Sequence, residues 1–241
     1  MSCSIKLRTK KHLLLPESKV PASHIRRVKK SSLFLLLTLL CFAFSPFAQA
    51  KDFQNEVLLF ENLRPCSAAG ATLYVPRLGN SISLSGDKAA ELGYQEIAEP
   101  TMLAEHAEQI KKSANYRLLS HIAWRQPGLD NASARGIRVF AGSALQIHLP
   151  GNYREYDKFV PVTATPAFDG ESREISTTTV SGTIKVRLGR FLHLDSRLVF
   201  TDTNAQRSYR LDHSRKMRSR ELHYIDNPRF GFLVRIIPLD A

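Results

Sequence analysis

The stretch VSGTIKVRLGRFLHLDSRLVF, residues 180–200, decides the fold. Ile184, Val186 and Leu188 alternate with Lys185 and Arg187. A period of two, apolar on one side and charged on the other, belongs to a strand with one buried face in an antiparallel sheet. Gly189-Arg190 interrupts the alternation and can bend the chain into the next strand.

Outward from this stretch the pattern repeats. DFQNEVLLFE (52–61) is rich in Val, Leu and Phe, and GIRVFAG (136–142) and LQIHL (145–149) read as two short strands around Gly142. SYRLDHSRKMR (208–218) sets Tyr209, Leu211 and Met217 on one parity, and GFLVRII (231–237) closes the chain. Between them the period changes. Leu103, Ala107, Ile110 and Ala114 fall on one face of a helix, with Pro100-Thr101 as its start signal and Asn115 as its stop. That helix feeds into YRLLSHIAWRQPG (116–128), where Tyr116, Leu118, Ile122 and Trp124 share a parity opposite Arg117, His121 and Arg125. Trp124 is therefore expected in the core, beside the helix face. Residues 62–98 read as loop and 150–179 as an extended surface excursion. The sum is about seven strands and one main helix: an α+β single domain dominated by an antiparallel β-sheet.

The first fifty residues belong to a different device. LFLLLTLLCFAF (33–44) is uncharged and too short to span a bilayer with ease; Arg26, Arg27, Lys29 and Lys30 precede it, and SPFAQA follows. That is a Sec signal peptide over 1–50, with cleavage after Ala50 and no membrane anchor left after cleavage. Thirty residues before the apolar run is long for such a signal. A start at Val28 would leave a compact 23-residue one, VKKSSLFLLLTLLCFAFSPFAQA. Residues 51–241 are then the exported domain.

Trimming changes the charge. Nine of the 34 Lys and Arg, and one of the 22 acids, lie in residues 1–50, so 51–241 keep 25 and 21, a net of +4. Such a mildly basic domain does not call for nucleic acid; envelope polymers, lipid headgroups or acidic protein faces suit it better. Cys66 is the only thiol beyond residue 50, so no intrachain disulfide can form there.

Catalytic motifs are lacking. Histidines 106, 121, 148, 193, 213 and 223 form no H-E-x-x-H, and none pairs at i, i+4 on a helix, so no metal is expected. There is no G-x-S-x-G and no Gly-rich phosphate loop, and no cofactor is implied. The densest stretch is KMRSRELHYIDNPRFGFLVRIIP (216–238). Read as a strand, it places Lys216, Arg218 and Arg220 on one side, where their charges can meet carboxylates or phosphates. Tyr224 would add a flat face. Glu221 and His223 would hold this strip in register, and Asn227-Pro228 would reverse the chain. Glu221, His223 and Asp226 are also acid–base material, which keeps an envelope hydrolase open as an alternative.

YRLLSHIAWRQPG, SGTIKVRLGRFLHLDSRLVF and KMRSRELHYIDNPRFGFLVRIIP resemble successive blocks of the CsiV family, exported peptidoglycan-binding proteins of Gram-negative bacteria. NEVLLFENL (55–63) resembles that family's first block, whereas 62–98 and 150–179 match little. Two positions depart from the family pattern: Asn227 stands where its usual His would precede Pro228, and Lys216 where Arg is usual. The resemblance implies a non-catalytic periplasmic accessory of cell-wall assembly. Such a protein would bind peptidoglycan and aid a bifunctional peptidoglycan synthase through its lipoprotein activator. A protein–protein adaptor that touches no polymer is the other alternative.

Overall fold

Nine strands and two short helices make up the computed structural model, which describes residues 51–66, 70–71, 73–150 and 172–239. In chain order they are β1 (Asp52–Asn62), α1 (Asp87–Glu91), β2 (Gln95–Glu96), α2 (Ala104–Lys111), β3 (Tyr116–Pro127), β4 (Ile137–Pro150), β5 (Ser172–Leu188), β6 (Leu192–Asp202), β7 (Arg207–Met217), β8 (Leu222–Asp226) and β9 (Phe230–Pro238). They form two sheets, ordered β2-β3-β1-β9-β8 and β4-β5-β6-β7, and every strand pairing within them is antiparallel. The second sheet is a plain meander. The chain enters it after β3 and leaves it after β7, so β8 and β9 return to the first sheet. The signal-peptide expectation for 1–50 lies outside the described residues, which belong to one compact unit over 49–241.

The alternation read at 180–200 sets the core. Ile184 and Val186 of β5 and Leu194, Leu198 and Phe200 of β6 are buried against Val57 and Leu59 of β1 and Phe232, Val234 and Ile236 of β9, in one cluster shared by both sheets. The second sheet buries the apolar parity of its strands and leaves the polar parity outside, and the first sheet turns one apolar face toward it, as face-to-face packing requires. One antiparallel layer was the expectation; the chain makes two.

Helix α2 covers the other face of the first sheet. Leu103 and Ala107 pack with Leu58, and Ile110, Leu118 and Leu233 close around them. Trp124 is fully buried, as expected, but in the cluster between the sheets rather than beside the helix. A β-bulge explains the difference. Ser120 pairs with Leu59 while Leu118 pairs with Phe60, so Leu119 is the extra residue. A bulge inverts the facing of everything beyond it. Tyr116 and Leu118 therefore lie on the helix side, whereas Ile122 and Trp124 face the core.

Three other expectations change. Residues 136–142 and 145–149 are one strand, β4, with a bulge between Ala141 and Ala144. Gly142 sits there at φ +81°, where a side chain would be strained. Residues 172–179 are no excursion: they extend β5 and pair with β4 from Ala144 to Pro150, while 151–171 lie outside the described residues. Within 62–98 the chain forms α1 and β2, and it bridges Ile82 to Ile137 at the edge of β4.

Candidate functional site

The 216–226 segment is not one strand. β7 stops at Met217, Ser219 and Arg220 turn, and Arg220 adopts φ +69° before β8 begins at Leu222. This corner carries the chain from one sheet to the other and splits the expected strip. Lys216 pairs with His193 on the outer face of the second sheet, opposite buried Met217. Its Nζ stands 3.1 Å from the Phe191 ring centroid. Tyr224 pairs with Leu233 and lies on the outer face of the first sheet. There it stacks on Phe60 at 5.9 Å, and its hydroxyl donates to Asp226 Oδ2 at 2.8 Å. Burial, the hydrogen bond to Asp226 and the charge of that carboxylate push the Tyr224 hydroxyl well above the usual tyrosine range. Lys216 and Tyr224 thus sit on opposite sides of the molecule, with Arg218 and Arg220 at the corner between them.

The supporting residues are arranged locally. His223 Nε2 lies 3.3 Å from the Arg218 carbonyl oxygen and 3.4 Å from its amide nitrogen. Glu221 is 3.5 Å from Arg218 and 4.0 Å from His223. Asn227 Oδ1 accepts from the amides of Arg229 and Phe230 at 2.9 and 3.0 Å, and Nδ2 donates to the Arg210 carbonyl at 3.1 Å. The Pro228 carbonyl accepts from Asn62 Nδ2 at 3.1 Å. Asn227-Pro228 is thus a turn tied to β7 and β1. His223 and Asp226 have opposite parity on β8, so Glu221, His223 and Asp226 do not converge on one reacting position. Among the described residues no group of three or more His, Cys, Asp or Glu could hold a metal ion. Cys66 is exposed and free.

The outward parity of the second sheet carries a feature that sequence reading missed. An open groove of about 720 Å³ crosses β5, β6 and β7. Lys185, Asp195 and Ser214 form one row of its floor, and Thr183, Arg197 and Asp212 the next. Residues 77–81 make one wall and 131–136 the other. Both walls are pinned. Ile82 exchanges backbone hydrogen bonds with Gly136 and Arg138, and Arg138 Nε donates to Ser81 Oγ at 3.3 Å. The hydroxyl of buried Tyr94 accepts from the Arg135 amide at 2.9 Å and donates to its carbonyl at 3.2 Å; burial raises its pKa.

Charge in the groove is unbalanced. Burial pushes the Asp195 carboxyl upward, but hydrogen bonds from Arg187 at 2.7 Å and Ser214 at 2.5 Å, with the charges of Arg187 and Lys185, hold it below the ordinary value. Asp212 is ion-paired with Arg210. Burial lowers Lys185; Asp195 pulls it back, and Arg187, Arg135 and Arg197 push it down again. Lys185 Nζ is anchored on Asn131, 2.8 Å from its carbonyl and 3.1 Å from Oδ1. Both acids in the lining are thus matched by arginines outside it, leaving Arg77, Arg135, Lys185 and Arg197 as the groove's own cations.

The floor depends on Gly182. Its φ is +147°, and an added Cβ would stand 2.0 Å from the Arg197 carbonyl oxygen and 2.9 Å from Leu198 Cα. Gly182→Ala should therefore spread β5 from β6 beneath Arg197. A loss of about 2–3 kcal/mol is expected, read from denaturant unfolding. An unchanged unfolding midpoint would mean that the strands tolerate the side chain.

Comparison with known proteins identifies a family. The model of a family described as "Peptidoglycan-binding protein, CsiV" matches residues 79–239. The match takes in all of β4 to β9 and most of the groove lining. It excludes β1, where NEVLLFENL resembles the family's first block, and includes 79–98, which were expected to match little. No curated protein and no solved structure gives a significant match. On two thirds of its length, the chain belongs to the CsiV family of peptidoglycan-binding proteins.

Proposed function

We propose that this protein is an exported, non-catalytic accessory that binds peptidoglycan in the periplasm. The observation that carries the reading is the cationic groove on the second sheet, within a chain whose family is described as peptidoglycan-binding. Peptidoglycan is a polyanion through the free carboxylates of its stem peptides, and a pinned groove lined by guanidinium, ammonium, hydroxyl and amide groups suits such a polymer. No helix of the described residues is long and apolar enough to cross a membrane, so the signal over 1–50 would deliver this domain without another helical span from those residues. Aid to a bifunctional synthase through its lipoprotein activator rests on the family resemblance.

In this reading Lys216, Arg218 and Arg220 extend the positive face from the groove to the corner after β7. The Arg218 side chain is 81% exposed, so its contacts would be individually weak and strongly screened. The test is sedimentation with purified sacculi. The protein should pellet with them, leave muropeptides unchanged, and lose binding as salt rises. Replacing Arg218 and Arg220 together with Glu should lower the bound fraction several-fold without changing the melting temperature. Salt-independent sedimentation with the double mutant still bound would reduce the corner to a solvated surface. Failure of the unaltered protein to pellet would overturn the reading itself.

A further inference from the structure

We infer that the groove recognises the peptide stem of peptidoglycan through its carboxylates, with Arg197 as the principal anchor, rather than the glycan strand. The inference rests on the peptidoglycan-binding reading and adds which part of the polymer enters the site. Three observations carry it.

The first is the state of Arg197. Its neighbours on the floor are occupied: Lys185 is held by Asn131, Asp195 by Arg187 and Ser214, and Asp212 by Arg210. Arg135 Nη1 donates to the Ala132 carbonyl at 2.8 Å. Arg197 is exposed at the centre of the floor, and its guanidinium makes no hydrogen bond or ion pair among the described residues. A guanidinium presents five donors in a planar fork that matches a carboxylate.

The second is that the positive field is built into the fold. Burial depresses Lys185 most and Asp195 opposes it, but Arg187, Arg135 and Arg197 add to the depression, so Arg135, Lys185 and Arg197 of the lining repel one another. An anionic group placed between them removes that repulsion, which a neutral sugar cannot do.

The third is composition. Among the described residues no Phe, Tyr or Trp lines the groove, and its one ring is the small imidazole of His213, so it offers no broad stacking surface for a pyranose ring. It offers instead Asn80, Ser81, Thr183 and Ser214, short polar groups suited to peptide N–H and C=O. The exposed Phe and Tyr rings lie outside the lining: Phe140 on β4, Phe191 at the β5–β6 turn, and Tyr116 and Tyr224 on the first sheet.

The experiment uses the purified protein with three probes: intact sacculi, glycan chains stripped of their stems by an amidase and with the lactyl carboxylates so freed converted to neutral amides, and a synthetic stem tetrapeptide. Intact sacculi should bind, stripped chains should not, and the tetrapeptide should compete. Arg197→Gln should weaken tetrapeptide binding about tenfold, the scale of one lost charge-assisted hydrogen bond. Lys112→Gln, on the far side of α2, should leave it unchanged. Circular dichroism and melting temperature show whether Arg197→Gln remains folded. Stripped chains that bind as well as sacculi, with no competition by the tetrapeptide, would overturn the inference and leave peptidoglycan binding intact. So would an Arg197→Gln variant with unaltered tetrapeptide affinity. Arg197-dependent tetrapeptide binding without sacculus binding would uphold the groove's specificity while refuting the proposed function. Binding to none of the three probes would refute both.

Discussion

Trp124→Ala should cost about 3–5 kcal/mol, the range for deleting a large buried aromatic. The indole is fully buried between the sheets, where Val57, Leu59 and Val186 belong to the same cluster. Two losses add. The cavity opens in the centre of the domain, away from α2, so helix movement cannot fill it. The indole Nε1 also donates to Gln126 Oε1 at 2.8 Å, and Gln126 Nε2 in turn donates to the Val186 carbonyl at 3.1 Å. Gln126 is itself buried, so truncating the Trp leaves an amide oxygen without its donor in an apolar setting. Trp124→Phe keeps most of the volume and loses only the donor, so it should fall between the two. Chemical denaturation of the three proteins orders them. If Trp124→Ala kept its unfolding midpoint but lost sacculus binding, the indole would be acting as a sugar platform.

Much of this fold is legible in the sequence because the strands are amphipathic at period two. Lys185, Arg187, Ile184 and Val186 declare their faces, and those faces are the observed ones. What is not legible is any event that breaks the period. Nothing in YRLLSHIAWRQPG marks Leu119 as the bulged residue; its role follows from pairing with β1, about sixty residues earlier in the chain. The same holds for the second sheet. Alternation states that a strand has an inside, but not which other strands share it.

The site is legible only in part, for a related reason. The density of charge at 216–226 is plain in the sequence, but density is a property of the chain, and a binding surface is a property of the fold. Arg220 at φ +69° turns the corner and divides Lys216 from Tyr224. The groove, by contrast, draws single cations from four separated places, Arg77, Arg135, Lys185 and Arg197. None stands in a local cluster that would single it out. The outward parity of Lys185 was a usable signal; the walls that turn that face into a groove were not visible.

Glu56→Ala should be as damaging as the loss of Trp124, although no pattern in the sequence marks Glu56. The residue sits in the middle of β1 at 0% exposure, on the face that α2 covers. Its Oε2 accepts from the Met102 amide at 2.8 Å, and its Oε1 accepts from the Leu103 amide at 2.7 Å. Leu103 is the N-cap of α2, and no side chain of the helix's own N-terminus caps it. The start signal expected at Pro100-Thr101 is thus supplied from another strand. A helix N-terminus leaves several amides without intrahelical partners, and an acidic group placed there satisfies both hydrogen bonding and the helix dipole. Glu56 Oε1 also lies 2.6 Å from His121 Nε2 on β3, and Arg235 on β9 donates to the Met102 carbonyl at 3.2 Å. One buried carboxyl therefore joins α2 to β1 and β3, and Arg235 adds β9. Removing it orphans two amides and an imidazole at once, with an expected loss of about 3–5 kcal/mol. Hydrogen exchange should locate the damage, with protection falling first at residues 103–111 while β5 and β6 keep theirs. Glu56→Gln retains an acceptor for one amide and should lose less. A double-mutant cycle with His121→Ala separates the imidazole contact from the capping. Additivity of the two changes would assign the whole effect to the cap. Unaltered exchange in α2 after Glu56→Ala would show that the helix is held by Leu103 and Ala107 alone.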